Sequence, residues 1–302
     1  MKNVYAFIIV LLALILMNIV GRHIQNAVSN IPHEVFVGVY DDIGLFDESK
    51  DMKFHLTYYG WVNALEDLTS DLEKIKKLNR IPILTIEPWP YRDYEGDANM
   101  FLHEIKLGAY DSVIDGICSE VSKYGDKAYI RWGHEMELPN LRYAWSNKNT
   151  ARYIDAYRHF VDRCKLNTSN ALYMWSPSGE WNAENYWPGE DYVDVIGLSL
   201  YSFKEWDEKN IGYQRSFKEL MDGKYSHVGK YNKPIIISEM GVTGDGEYQY
   251  NWLKDARASF SSYPLLYGVV YFNTYRGDDL WDKDLIAPDW RIDSEKLNLL
   301  FR

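Results

Sequence analysis

Two stretches of the chain place glutamates after apolar, strand-forming runs. The first, KAYIRWGHEME at residues 127–137, carries Arg131, His134 and Glu135 in close succession. The second, KPIIISEMG, is an apolar run that we predict ends as a strand at Glu239. A carboxyl group beside an imidazole and near a guanidinium suits proton transfer, and a second carboxylate can serve as a nucleophile. The two stretches together therefore predict acid/base chemistry with a covalent step.

Cleavage of a glycosidic bond needs two carboxyl groups with opposite properties. One must hold a proton for the leaving oxygen, and burial near another carboxylate raises its pKa enough for that. The other must stay ionised to attack the anomeric carbon, which requires hydrogen-bond donors or a cation beside it. We therefore expect Glu135 to be the general acid/base and Glu239 the nucleophile, with Arg131 or Tyr201 keeping the nucleophile ionised. A single strand-end glutamate could simply be solvated or cap a helix, but that explanation does not account for two in this setting.

Apolar strand-like runs alternate with helical stretches over residues 34–302, which is the pattern of βα units. The predicted strands are residues 34–40, 54–61, 81–89, 127–135, 171–176, 193–201, 233–239 and 266–273. The clearest predicted helices are residues 64–79, 99–123, 150–165, 211–228 and 248–262. Eight strands in about 270 residues fit an α/β fold of the TIM-barrel type, (β/α)8, in which all strand ends open onto one cleft. An open, doubly wound sheet is the alternative, although no glycine-rich turn follows the first strand.

The amino-acid composition limits the kinds of molecule that the chain is expected to bind. The chain has 302 residues and a net charge of −11, which argues against nucleic acid because such a partner favours a basic face. Aromatic residues make up 16% of it, and sugar-binding clefts pack such rings against pyranose C–H faces. The sequence has no cofactor fingerprint or zinc-ligand spacing, so neither a cofactor nor a metal is expected. It leaves open whether Cys118 and Cys164 form a disulfide.

The first residues predict a membrane segment. Residues 4–20 form an uncharged, almost wholly apolar run. Such a run is either an uncleaved transmembrane anchor, which we favour, or a secretory signal peptide. We predict one apolar membrane helix within residues 1–23, a linker at 24–33 and a single catalytic domain at 34–302. The domain is expected outside the cytoplasm as a monomer, attached to the cell envelope through the membrane segment or secreted.

The two glutamate motifs resemble those of a known family. RWGHEME and IIISEMG are similar to the acid/base and nucleophile motifs of glycoside hydrolase family 26, whose superfamily of barrels has catalytic glutamates on strands four and seven. Residues 194–201, DVIGLSLY, resemble that family's sixth strand, whose final tyrosine bonds the nucleophile and is here Tyr201. Residues 82–89, PILTIEPW, resemble its third strand. The resemblance implies retaining endo-hydrolysis of a β-linked polysaccharide, commonly β-1,4-mannan, otherwise a mixed-linkage β-glucan or a xylan.

Further residues near the strand ends are candidates for substrate contact. Aromatic rings there could stack on sugars, and polar groups could bind the substrate or support the glutamates. The candidates are His134, Arg131, Tyr201, Trp175, Trp181, Trp89, Glu87 and Trp145. Glu137 is expected to bind substrate or to be a structural partner. In the family's mannanases the acid/base motif usually continues into Asn-Gly and a tryptophan-rich stretch. Here it runs Met136-Glu137-Leu138-Pro139-Asn140, so the contacts to mannose are not carried over.

Two alternatives to endo-hydrolysis stay open. A catalytically silent barrel could bind polysaccharide at the cell envelope, beside synthesis or export machinery, but its expected signature is a lost carboxylate and both are present. An exo-acting or transglycosylating enzyme would keep the same pair of glutamates. Loop lengths that close the cleft would distinguish it, and the sequence does not reveal them.

Overall fold

The structure is a computed structural model that describes residues 34–91, 96–139, 143–146, 149–275 and 284–301. A compact unit begins at Val35. The predicted membrane segment and linker lie outside the described residues. In the ranges given above, no helix combines the length and apolar character needed to cross a membrane.

Eight parallel strands form a closed barrel in the order of the sequence, which confirms the predicted (β/α)8 fold and excludes an open sheet. β1 and β8 close it by pairing over five positions, from Phe36 with Gly268 to Tyr40 with Phe272. The strands are β1 (Phe36–Tyr40), β2 (Phe54–Gly60), β3 (Ile81–Glu87), β4 (Ala128–Trp132), β5 (Ala171–Trp175), β6 (Val195–Ser202), β7 (Ile235–Val242) and β8 (Leu266–Phe272).

Helices follow most strands, but two predicted helices differ from those in the structure. The helix predicted at 99–123 is divided in two near Gly108, whose φ of +88° is left-handed backbone that favours glycine. The helix predicted at 211–228 begins only at Phe217, after a capping box formed by Ser216 and Glu219, and a separate short helix that was not predicted precedes it. The helices are α1 (Ala64–Lys77), α2 (Ala98–Lys106), α3 (Asp111–Tyr124), α4 (Thr150–Lys165), α5 (Lys204–Asn210), α6 (Phe217–Val228), α7 (Gly246–Ser259) and α8 (Ser294–Leu297).

Alternate strand residues point into the barrel, so its interior is a packed core under the cleft. A separate buried cluster takes residues from β2 through β8, among them Phe54, Ile83 and Val270. A Cβ atom on Gly38 would lie 2.4 Å from the Phe54 Cβ, so this position of β1 accepts only glycine while the phenylalanine stays in place. This filled interior lies beneath a cavity at the carboxyl ends of the strands.

Outside the barrel, a disulfide joins α3 to α4. Cys118 and Cys164 are both fully buried and bonded to each other, which settles the pairing that the sequence left open. The bond closes a long chain segment and restricts the unfolded chain accordingly.

Candidate active site

Glu135 lies in a tight turn directly after β4. The strand ends at Trp132, three residues earlier than predicted, and Gly133 and Glu135 then adopt φ angles of +57° and +52°. A non-glycine residue in this left-handed region is uncommon and persists only where its surroundings hold it. The Gly133 N–H donates to the Ile86 carbonyl at 3.1 Å, and the Glu135 N–H donates to the Ser176 carbonyl at 2.8 Å. The neighbouring strands β3 and β5 thus hold the turn from both sides.

A tyrosine packed among other aromatic rings contacts the Glu135 carboxyl group. The Tyr143 hydroxyl donates to Glu135 Oε2 at 3.3 Å. Its ring stacks on Trp145 with centroids 4.5 Å apart and lies 4.9 Å from the ring of His134. The Trp145 indole N–H donates to the His134 carbonyl at 2.7 Å. His134 and Trp145 are therefore placed to support the turn and the tyrosine that contacts Glu135.

Glu239 lies within β7, not at its end as predicted, because the strand continues to Val242. Arg131 Nη2 forms an ion pair with Glu239 Oε1 at 2.7 Å, and the Tyr201 hydroxyl donates to Oε2 at 2.5 Å. The guanidinium is itself fixed, since its Nε donates to Ser176 Oγ at 2.8 Å and its Nη1 donates to Thr85 Oγ1 at 3.3 Å. Both carboxylate oxygens of Glu239 are thus held by groups from other strands.

These contacts set the protonation of Glu239. Burial alone would raise the pKa of Glu239, but the Arg131 charge and hydrogen bonds from Tyr201, Tyr58 and Arg131 outweigh it and hold the pKa below its ordinary value. Burial works to lower the pKa of Arg131, and the Glu239 charge overcomes this and raises it. Burial and the neighbouring Glu239 both raise the pKa of the Tyr201 phenol, which keeps its proton available for the hydrogen bond.

Both glutamates line one cavity of about 480 Å³ at the carboxyl ends of the strands. The predicted residues His134, Tyr201, Glu87 and Trp89 line it as well. Its remaining lining residues are Tyr58, Leu138, Tyr143, Ser178, Glu180, Ser199, Trp206, Arg215, Leu220, Lys224 and Phe272. Across the described ranges, no group of three or more His, Cys, Asp or Glu side chains could hold a metal ion. The cavity is therefore a mixed aromatic and polar cleft built around two carboxyl groups.

The predicted tryptophans occupy three different environments. Trp89 is 37% exposed and lines the cavity, with its indole N–H donating to Glu87 Oε2 at 3.1 Å. Trp181 is 75% exposed beside the cavity-lining Glu180. Trp175 is fully buried, with its ring 5.1 Å from that of Trp187, so the prediction that it stacks on a sugar is wrong. Trp145, also fully buried, keeps only the supporting role, because a ring without exposed surface cannot contact a ligand.

The sequence interpretation missed Tyr58, which bonds Glu239 from β2 and lies near His134 with ring centroids 6.0 Å apart. The next residue, Tyr59, is directed away from the cavity, and its hydroxyl donates to Asp71 Oδ2 at 2.8 Å. Successive strand residues face opposite sides, so the alternation in FHLTYYG carried the signal that distinguishes the two tyrosines.

A closed barrel whose cleft is lined by two buried glutamates, one after β4 and one on β7, is the arrangement expected of a TIM-barrel glycoside hydrolase. The chain belongs to glycosyl hydrolase family 26, whose sequence profile matches residues 129–288, more than half of its length.

Proteins with similar sequences are named for different substrates. The chain is 26% identical over 192 residues to the β-1,3-xylanase TXYA of a Vibrio species, which covers 60% of this chain and 38% of that protein. It is 23% identical over 124 residues to a mannan endo-1,4-β-mannosidase of Bifidobacterium adolescentis, covering 39% and 12%. The chain thus spans less than two fifths of the length of these relatives.

Solved structures agree on the fold. The GH26 β-mannanase of Bacteroides ovatus superimposes with a TM-score of 0.62 at 15% identity, over 92% of this chain and 89% of that one. GH26C from a Muricauda species gives a TM-score of 0.65 at 15% identity, over 91% and 86%. At these identities the likeness establishes the barrel and nothing finer.

Proposed function

We propose that the chain is a retaining endo-β-glycoside hydrolase in which Glu239 is the nucleophile and Glu135 is the acid/base. The main support is the environment of Glu239. Although buried, this residue forms an ion pair with Arg131 and accepts a hydrogen bond from Tyr201, and both contacts favour its charged form. A buried carboxylate kept ionised at the base of an open cleft is suited to attack on an anomeric carbon. A polysaccharide-binding barrel without catalysis would not need that arrangement.

The reaction follows from the two positions. In the first step, a Glu239 oxygen bonds to the anomeric carbon while the glycosidic bond breaks and Glu135 gives its proton to the leaving oxygen. In the second, Glu135 takes a proton from water, the water oxygen bonds to the anomeric carbon, and the bond to Glu239 breaks. Two inversions give net retention of configuration, and each glutamate returns to its starting state.

The substrate we propose is a neutral β-linked polysaccharide. The sequence resemblance favours β-mannan or mixed-linkage β-glucan, and the names of the relatives add β-1,3-xylan. Trp89 and the exposed Trp181 offer aromatic faces at and beside the cleft, where pyranose rings could pack. We propose cleavage within the polymer because Trp89 and Trp181 could both contact the substrate only if several sugar rings were bound.

We also propose that the domain works outside the cytoplasm, held at the cell envelope by the predicted membrane segment or secreted. The Cys118–Cys164 disulfide supports this, because such bonds persist in oxidising compartments and are rare in the cytosol. A partnership with polysaccharide synthesis or export machinery remains part of this proposal. Fractionation of cells that express the full chain, with detection of the domain in membrane, medium and cytosol, tests it, and a cytosolic reduced protein would contradict it.

The function is tested by a reducing-sugar assay of the full chain on β-1,3-xylan, β-1,4-mannan, lichenan and cellulose. NMR of the first product formed should show the same anomer as the substrate. Retaining enzymes have carboxyl groups about 5–5.5 Å apart, against about 6.5–9.5 Å in inverting ones. Release of the inverted anomer would overturn the assigned roles, and failure to cleave any β-linked polysaccharide would overturn the function.

A further inference from the structure

Glu137 is a buried carboxyl group that the proposed reaction does not use. It lies two residues after Glu135, is 1% exposed, and is absent from the cavity lining. Its Oε1 accepts hydrogen bonds from the backbone N–H groups of Gly179 at 2.8 Å and Glu180 at 3.3 Å. Its own carbonyl accepts a bond from Asn182 Nδ2 at 3.1 Å. One residue therefore fastens the Glu135 turn to the loop that follows β5.

That loop, residues 176–182, forms one wall of the cleft. Ser178 and Glu180 line the cavity, and Lys224 on α6 holds the loop from its other side by donating to the Ser178 carbonyl at 2.7 Å. Gly179 has a φ of +99°, and a Cβ there would lie 2.9 Å from Lys224 Cγ and 3.0 Å from Leu198 Cδ2, so the loop packs closely against α6 and β6 at this point. The loop is held by α6 on one side and by Glu137 on the other. A displacement of Glu137 would therefore move both the loop that forms the cleft wall and the turn that carries Glu135.

The second oxygen of the Glu137 carboxyl group has a different environment from the first. Oε2 is buried, and among the described residues it has no hydrogen-bond partner. Burial therefore raises the pKa of Glu137 to about 6, with the nearby Glu135 adding to the shift, against the opposing hydrogen bonds from the Glu137, Gly179 and Glu180 N–H groups. An amide could accept the same loop bonds without this cost. What the carboxylate adds over an amide is its charge.

That charge lies two residues from the acid/base residue in the chain and interacts with it electrostatically. Coulomb repulsion is mutual, so an ionised Glu137 opposes loss of the proton from Glu135. Because Glu137 is ionised above about pH 6, the effect is present where the acid needs to retain its proton. The other titratable groups around Glu137 and its loop are Tyr153 on α4, Tyr186, Glu180, and Lys224 and His227 on α6.

We propose that Glu137 is a positioning residue for Glu135: its buried carboxylate fastens the cleft-wall loop to the acid/base turn, and its negative charge helps Glu135 keep its proton. The role of the charge rests on the proposed function, whereas the fastening of the loop concerns the protein without substrate.

Two variants separate the charge from the fastening. Glu137→Gln keeps an acceptor for the loop and removes the charge, and Glu137→Ala removes both. Hydrogen exchange of the full chain without ligand should be faster at Gly179 and Glu180 in Glu137→Ala and unchanged in Glu137→Gln. The matched control is Glu184→Gln, since Glu184 is an exposed carboxylate in the next segment, paired with Lys230. Equal exchange in all three variants would overturn the fastening.

The charge is tested by the pH profile of kcat/KM on a polysaccharide that the wild type cleaves. We expect the basic limb of Glu137→Gln to move to lower pH by about half a unit, which is about a threefold loss on that limb. An aryl glycoside with a very good leaving group should show no loss in its glycosylation step, because departure then needs no proton. A basic limb identical to that of the Glu184→Gln control would overturn the role of the charge.

Thermal unfolding gives an outcome independent of activity. The folded-state pKa of Glu137, about 6, lies above its ordinary 4.5, so its contribution to stability is present below pH 4.5 and lost by about pH 6. Glu137→Gln should therefore gain Tm relative to the wild type between pH 4.5 and pH 7. A wild type that cleaves no glycoside defeats the proposed function and the role of the charge together, and hydrogen exchange still decides the fastening.

Discussion

The surroundings of Glu239 and of Glu135 differ although both are buried glutamates on one cleft. Glu239 lies inside a strand, paired with the Arg131 guanidinium and bonded by a phenol. Glu135 lies in a turn, where it accepts a hydrogen bond from the Tyr143 phenol and interacts electrostatically with the carboxyl group of Glu137. A cation favours the charged form and another carboxylate favours the protonated one. Their surroundings, not the residue type, therefore distinguish the proposed nucleophile from the proposed acid.

Removal of Glu239 should have the largest effect. Glu239→Ala leaves no group to form the glycosyl-enzyme, so kcat/KM should fall by at least about 10⁴-fold on every substrate. It also leaves Arg131 buried without its partner, which costs about 3–5 kcal/mol of folding free energy. Steady-state assays should therefore be paired with thermal unfolding, and Glu239→Gln serves as the variant of matched shape. Retained turnover in a folded variant would remove the distinction between the two glutamates.

Removal of Glu135 should depend on the leaving group. Glu135→Ala should lose about 10²- to 10⁴-fold on polysaccharide, since general acid catalysis contributes that much. Aryl glycosides with very good leaving groups should keep a fast first step, followed by a slow second step that added azide accelerates. Burst kinetics with and without azide measure this. Equal loss on both kinds of substrate would contradict the acid/base assignment.

The tyrosines around Glu239 test the other side of the comparison. Tyr201→Phe removes a 2.5 Å hydrogen bond to a carboxylate, worth about 1.5–3 kcal/mol, so kcat/KM should fall by about 10- to 100-fold. The pKa of Glu239 should rise towards its ordinary value, which moves the acidic limb of the pH profile to higher pH. Tyr58→Phe should act in the same direction and less strongly.

Tyr59→Phe is the matched control for this pair, because Tyr59 adjoins Tyr58 in β2 but bonds Asp71 outside the cavity. We expect it to leave both the rate and the acidic limb unchanged. An unmoved acidic limb in Tyr201→Phe would show that Arg131 alone holds the Glu239 charge.

His134 should have a smaller effect than Glu239, Glu135 or Tyr201. Its ring lies 6.0 Å from Tyr58, beside Glu239, and 4.9 Å from Tyr143, beside Glu135, so it packs between the two environments. His134→Ala should lower kcat/KM by about tenfold, equivalent to about 1.4 kcal/mol, because it loosens both tyrosines without removing a reacting group. A loss as large as that of Glu135→Ala would mean that the imidazole takes part in proton transfer.

The sequence determined the order of the strands and the end of the barrel at which the polar residues gather. A parallel barrel brings the carboxyl ends of all strands together, so alternating apolar and helical runs were enough to group Glu87, Glu135, Tyr201 and Glu239. Arg131 could also be predicted, because it shares an apolar strand with the turn that carries Glu135. Short-range pattern and topology sufficed for these residues.

Only the tertiary structure decided which side chains reach the cavity. Trp175 and Trp89 follow apolar runs of the same kind, yet one is buried against Trp187 and the other lines the cleft. That difference depends on packing between elements distant in the chain, which no local pattern contains. The same holds for Glu137, whose role follows from the N–H groups of Gly179 and Glu180, brought to it by the neighbouring strand. Burial and hydrogen-bond partners are properties of the folded chain, and they set the charge on each glutamate.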